Sequence, residues 1–315
     1  MKKLYMLLFA VVLVLSACNS GGNDNSSTKN DGASVQQDKV YPVSIEDARG
    51  EKVKLEKQPK KVVSLIPSNT EILYNIGAGK QVVGVTDNDT YPKEVKEKES
   101  VGGMEPNVEK IISLNPDLVL AHASTMASSS DLYKQLEDAG IKVFVVKDAQ
   151  TFDATYQSIE TIGALTGHVE KAEETIADMK ESLKEITDKA KEVKDKKKVW
   201  VEISSDLYTA GKGTFMNKML TLIGAENAAK DQEGWVQLSK EDVVALNPDV
   251  ILTTYGSIDK NAVANIKKRP GFEAVKAVET NSITDLNSDE VTRPGPRLVN
   301  GLEDMAKAVY PEVYK

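Results

Sequence analysis

The chain has 315 residues, 40% of them hydrophobic and 28% charged, with a formal net charge of −8. That length allows one or two domains, and the apolar content excludes a mainly disordered chain. The acidic balance gives no reason to expect nucleic acid as a partner, and a lone cysteine, Cys18, excludes an internal disulfide.

Lys2 and Lys3 precede an uncharged apolar run from Leu4 to Leu15. This is the pattern of a secretory signal and is too short to span a bilayer as a helix. It ends at Leu15-Ser16-Ala17-Cys18, which resembles a bacterial lipoprotein box. Residues 1–17 are therefore expected to be a signal peptide, with Cys18 as the lipid-attachment residue. Two or more acyl chains give stable anchoring, so the expected location is the extracytoplasmic face of the cell membrane. Residues 18–39 are polar and lack apolar periodicity, as in a flexible tether.

A first α/β lobe is expected over 40–167. Lys61–Ile66 is a short apolar run ending at Pro67, hence a buried strand. A helix follows to about Ile76, with Ser68 and Asn69 as caps and Glu71 in its first turn. Further strands are expected at 82–85, 118–121 and 143–146, with a helix at about 132–139. Strands alternating with helices argue for a largely parallel sheet. A helix over 152–165 closes at Thr166-Gly167. Residues 168–194 then show apolar residues at spacings of three and four, from Val169 to Ala190. Twenty-seven helical residues would span ~40 Å. This segment is expected to be a rigid connecting helix, within boundaries of 168–195; a coiled-coil arm is the alternative. A second lobe, 196–315, restarts the pattern with strands at 197–203, 250–252 and near Ile283, and ends in a helix over about 298–309. The fold class is thus α/β: two similar lobes, one long backbone helix and a ligand cleft between the lobes.

The chain repeats itself. Residues 109–120 read Glu-Lys-Ile-Ile-Ser-Leu-Asn-Pro-Asp-Leu-Val-Leu, and residues 241–252 read Glu-Asp-Val-Val-Ala-Leu-Asn-Pro-Asp-Val-Ile-Leu. Glu109 and Glu241 lie 132 residues apart (241 − 109), which is the period of a small domain rather than of a solenoid unit. Asn107 and Ser239 can each N-cap a helix, placing each glutamate at the second helical position. Either acid alone is explained by the helix dipole. The matched pair suits docking to a two-fold partner with basic residues.

Arginine occurs only at 49, 269, 293 and 297, and two of the four fall within Arg293-Pro-Gly-Pro-Arg297. The two histidines, His122 and His168, are too far apart to suggest a metal cage, and no metal is expected. No Gly-x-Ser-x-Gly elbow or nucleophile–base set points to an enzyme, so no catalytic residue is assigned.

Taken together, several motifs resemble one family: Pro67-Ser-Asn-Thr-Glu71, Gly84-Val85 leading to Tyr91-Pro92, and Asn107-Val-Glu109. To these add Tyr208-Thr-Ala-Gly211, Trp235-Val-Gln-Leu-Ser-Lys-Glu241 and Arg293-Pro-Gly-Pro-Arg297. The chain resembles, over about residues 58–310, the substrate-binding lipoproteins of ABC importers with a helical backbone. These serve vitamin B12, iron–siderophore and haem uptake, and the vitamin B12-binding type is closest in look. The resemblance implies a monomer that delivers a metal chelate to a permease dimer and its ATPase, with Glu109 and Glu241 paired to permease arginines. It further implies a ligand site drawn from Asn88, Tyr91, Gly103, Met104, His122, Tyr208, Trp235 and Arg293. Asn88, Gly103 and His122 stand where the B12-binding type places aromatics. A corrinoid is the first expectation for the ligand, a ferric siderophore the second and haem the third. No cofactor is expected beyond that ligand. Lys147 and Lys212 would serve a siderophore's oxygen shell.

Overall fold

The strand pattern is strongest where residues are buried on both faces. Val62–Ser64 (β3) and Leu118–His122 (β6) are wholly buried and pair in parallel. In the computed structural model, which describes residues 41–315, they form the centre of a five-stranded parallel sheet. Its other strands are Val82–Val85 (β4), Glu99–Ser100 (β5) and Lys142–Val146 (β7), in the order β5-β4-β3-β6-β7. The second sheet is also parallel. Lys198–Glu202 (β8) and Val250–Thr253 (β12) lie between Glu226–Asn227 (β10) and Ile283–Asp285 (β13), in the order β10-β8-β12-β13. Continuous Val/Ile/Leu runs are what a sheet covered on both faces requires.

Two short antiparallel pairs were not expected. Val43–Glu46 (β1) and Lys52–Leu55 (β2) form a hairpin beside β7. Asp47 fastens the hairpin: its Oδ2 accepts from Val145 N (3.2 Å) and from Arg49 Nε (2.8 Å). Tyr208–Ala210 (β9) pairs with Trp235–Gln237 (β11) beyond the end of β8.

Pro67–Asn75 (α1) begins differently from expectation. Ile66 is its N-cap and makes no side-chain cap bond, and Pro67 sits in the first turn. Proline lacks an N–H to satisfy, so a polar cap is less needed there. Ser68, Asn69, Thr70 and Glu71 are instead buried. Asn69 Nδ2 donates to Ala121 O (3.0 Å) and Thr70 Oγ1 to Ser64 Oγ (2.8 Å), so these polar groups fix tertiary contacts. Met126–Asp138 (α3) starts six residues before its expected position.

Val108–Ser113 (α2) and Lys240–Leu246 (α7) carry the repeat. Asn107 Oδ1 accepts from Lys110 N (2.8 Å), and Ser239 and Asp242 form a capping box. Both helices end at an asparagine with positive φ, Asn115 at 50° and Asn247 at 43°. The residue before proline is pushed out of the α region. A left-handed turn escapes that region, and asparagine tolerates it.

Val169–Ala190 (α5) has 22 residues, or ~33 Å. It is shorter than expected because its end tightens: Lys191 N and Val193 N bond back only three residues, to Asp188 O and Ala190 O. It packs on Phe152–Thr166 (α4) on the first-lobe side, and on Phe215–Leu222 (α6) and Leu298–Val309 (α11) on the second. A Cβ added at Gly163 of α4 would lie 2.5 Å from Ala172 Cβ, so this glycine sets how closely the helices approach. One continuous apolar core runs from Val53 through α4 and α5 to Tyr314. Separate clusters cover the other face of each sheet.

Candidate functional site

In a parallel α/β sheet, ligands collect beyond the carboxyl ends of the strands, where the loops converge. Seven large apolar side chains are exposed among the described residues, and six sit on segments that follow such strand ends. Tyr91 follows β4, Met104 follows β5 and Met126 follows β6. In the second lobe Tyr208 follows β8, Trp235 follows β10 and Ile258 follows β12. Met104 is 86% exposed, Trp235 55% and Ile258 89%. The seventh, Ile112, lies on α2.

Trp235 pairs with Ala210 and Gln237 with Tyr208 in the β9–β11 ribbon. Directly paired residues share a face, so Trp235 and Tyr208 stand on the same side as diagonal neighbours. Gly211 permits this close ribbon, since a Cβ there would lie 2.4 Å from Gln232 O. Across from Trp235 stand Asp148 and Gln150 of the first lobe. With Phe215, Thr292 and Pro294 they enclose a cavity of about 110 Å³ between the lobes. Larger hollows exist elsewhere. One of about 590 Å³ lies at the amino ends of β8 and β12, beside Lys197, Asp249 and Tyr310. It is remote from the strand carboxyl ends, and size alone does not make it the ligand site.

His122 ends β6 and is only 5% exposed, so it is neither a solvated loop residue nor an open contact. Its Nδ1 accepts from Ser124 N (3.2 Å) and pairs with Ser124 Oγ (2.8 Å). Burial pushes its pKa down, with Asp148 opposing. Asn88 is exposed in the loop after β4, and Gly103 adjoins Asp87.

Arg293 was expected at the ligand, but its guanidinium is already engaged by the protein. Nη1 donates to Glu71 Oε1 (2.9 Å) and Thr90 Oγ1 (3.0 Å); Nη2 donates to Asn88 O (3.2 Å) and pairs with Asp289 Oδ1 (2.8 Å). The other arginines are engaged too. Arg297 binds Glu71 and Glu290, Arg269 binds Glu202 through two 2.7 Å bonds, and Arg49 binds Asp47 and Glu137. Glu71 is buried rather than placed against the helix dipole, because two guanidiniums neutralise it there. Lys147 and Lys212 are exposed.

Glu109 and Glu241 occupy the second positions of α2 and α7. Both are exposed, and neither forms an ion pair among the described residues. The two helices precede equivalent strands, β6 and β12, each paired with the first strand of its sheet repeat. Cys18 lies outside the described residues. Among the described residues no helix is long and apolar enough to cross a membrane, and no group of three or more His, Cys, Asp or Glu side chains is placed to hold a metal ion.

Sequence reasoning missed Met126, Phe215, Ile258 and the Glu71 cluster. For Ile258 a signal existed: an isoleucine flanked by Tyr255-Gly-Ser and Asp259 in a loop. For Glu71 there was none, because its partners lie more than 200 residues away.

A family model, that of the periplasmic binding proteins, matches residues 62–290. The chain belongs to this family. This periplasmic binding protein is 50% identical, over 96% of its own length and 96% of the relative's, to an uncharacterized ABC transporter substrate-binding lipoprotein, YvrC, of Bacillus subtilis (strain 168). It is 31% identical to a cobalamin-binding protein of Halobacterium salinarum (strain ATCC 29341 / DSM 671 / R1), over 86% of this chain and 74% of that one. Among solved structures it is similar to a possible iron-binding (periplasmic solute-binding) protein of Staphylococcus epidermidis. There the TM-score is 0.73 at 42% identity, covering 81% of this chain and all of the other (100%).

Proposed function

We propose that this chain is the extracytoplasmic substrate-binding lipoprotein of an ABC importer and that it captures a corrinoid. The carrying observation is the chemistry at the strand carboxyl ends. Exposed Tyr91, Met104, Tyr208 and Trp235 offer broad apolar and aromatic surface, while all four arginines are engaged by protein carboxylates. A large, mostly apolar macrocycle rests well on such side chains. A ferric siderophore with an anionic oxygen shell, or a haem with two carboxylates, is better served by convergent arginines, and of the cations weighed for it only the exposed Lys147 and Lys212 carry no ion pair among the described residues. The cavity of about 110 Å³ takes a peripheral group of the ligand, and the exposed side chains take its ring. The cobalamin-binding relative supports the same ligand class.

On this reading Glu109 and Glu241 dock on two permease subunits, and Cys18 carries the lipid. Titration calorimetry with cyanocobalamin, dicyanocobinamide, haemin and ferric siderophores tests the ligand. Saturable heat with a corrinoid is expected. No heat with either corrinoid, or tighter binding of an iron chelate, overturns the assignment.

A further inference from the structure

Glu71, Arg293 and Arg297 form a network that joins the lobes and also reaches the loop at 86–91. Glu71 lies in the first-lobe helix α1, and its side chain is 2% exposed. Arg297, at the start of α11, grips it through Nε to Oε2 (2.9 Å) and Nη2 to Oε1 (2.8 Å). This is the two-point geometry that guanidinium gives and ammonium does not. Arg293 binds Glu71 and also holds Asn88 O and Thr90 Oγ1. Thr90 Oγ1 in turn donates to Asp289 Oδ2 (2.7 Å). Arg297 Cζ lies 3.9 Å from the centre of the Tyr91 ring. Within the loop, Thr86 N and Oγ1 both donate to Asp89 Oδ2 (2.8 and 2.6 Å).

We propose that Arg293 and Arg297 are positioning residues of the solute site: anchored on Glu71, they seat the 86–91 loop against the second lobe and fix the Tyr91 ring for ligand contact. This deepens the solute-binding reading and rests on it. Arg293 holds the loop's main chain at Asn88 and its side chain at Thr90. Arg297 covers one face of Tyr91, and the ring also borders a hollow lined by Tyr74, Gly79 and Lys98. The cluster therefore sets where the first lobe's aromatic stands relative to Trp235 in the second, although neither arginine needs to touch the ligand.

The test is hydrogen–deuterium exchange on the full-length protein without ligand, comparing Glu71→Gln with Glu290→Gln. Glu290 binds the far side of Arg297 from within the second lobe, so its variant changes the same charge but keeps the link between lobes. Exchange at 86–91 is expected to rise roughly tenfold in Glu71→Gln, the scale of a lost charge-assisted bond, and to stay within about twofold in Glu290→Gln. Unchanged exchange in Glu71→Gln, or an equal rise in both variants, overturns the proposal. Should Glu71→Gln fail to fold, Arg297→Lys, which keeps the charge and loses the fork, is judged by the same criterion. Cyanocobalamin titration is the second arm: Glu71→Gln is expected to weaken binding roughly tenfold. If the unmutated protein binds no cyanocobalamin, the corrinoid reading fails while the exchange result still decides the positioning role.

Discussion

Asn115 and Asn247 occupy the same left-handed turn in the two lobes, at φ 50° and 43°. The surroundings repeat as well. The aspartate two residues on accepts from the main chain entering the first strand of each unit: Asp117 Oδ2 from Lys61 N (2.9 Å), and Asp249 Oδ2 from Lys198 N (2.8 Å). The same lysines donate Nζ to Leu114 O and Leu246 O, both at 3.1 Å. Each Asn-Pro-Asp segment thus locks a helix end to a neighbouring strand, which fixes the direction of the glutamate-bearing helix.

Asn247→Ala should destabilise the protein by about 2 kcal/mol, because alanine resists the left-handed conformation and Lys276 N loses its acceptor, Asn247 Oδ1 (2.9 Å). Asn247→Gly keeps the turn and loses only the bond, at a cost of about 1 kcal/mol. Denaturant unfolding of the two variants checks the order.

The double variant Glu109→Ala, Glu241→Ala should bind cyanocobalamin like the unmutated protein and fail to support uptake. Both carboxylates are exposed on helix starts, away from the cavity beside Trp235. Loss of solute binding in that variant would mean that the two residues belong to the cleft.

Trp235→Ala should weaken cyanocobalamin binding by roughly 10- to 100-fold, the usual cost of removing an aromatic anchor, and Trp235→Phe by less. Gly211→Ala should mimic part of that loss by forcing the β9–β11 ribbon apart at Gln232 O. Titration of all three, with circular dichroism to confirm folding, separates ring loss from ribbon displacement.

Stability should fall as pH drops below about 6.5. Burial holds the imidazoles of His122 and His168 below their ordinary value of 6.5. The unfolded chain therefore takes up these protons first, so the contribution is full above 6.5 and declines as pH falls. Asp89 works in the opposite sense: burial pushes its carboxyl up from 3.8, so acid relieves it, at lower pH. Thermal melts between pH 7.5 and 5.5 should show the histidine slope, and His122→Gln should flatten part of it.

Solute binding should compact the protein little. The α5 helix shares one apolar core with helices of both lobes, and its 22 residues contain no glycine or proline to hinge on. Small-angle scattering with and without cyanocobalamin checks this; a large drop in radius of gyration would contradict it.

Local pattern alone determined the parallel strands, the two matched helices and the final helix over Leu298–Val309. These elements are specified by periodicity, caps and prolines within a few residues of themselves. Tyr91, Met104, Tyr208 and Trp235 were named from the family resemblance, and all four side chains are exposed. The role of Arg293 and the burial of Glu71 were not legible. A carboxylate and a guanidinium choose each other through space, and the residues joining the lobes are 222 and 226 positions apart. His122 likewise reads as a loop residue until the fold closes over it. Sequence determined most of the parallel strands and the helices that alternate with them. The tertiary structure decided which charges remain free, because only packing sets the distances at which charges neutralise one another.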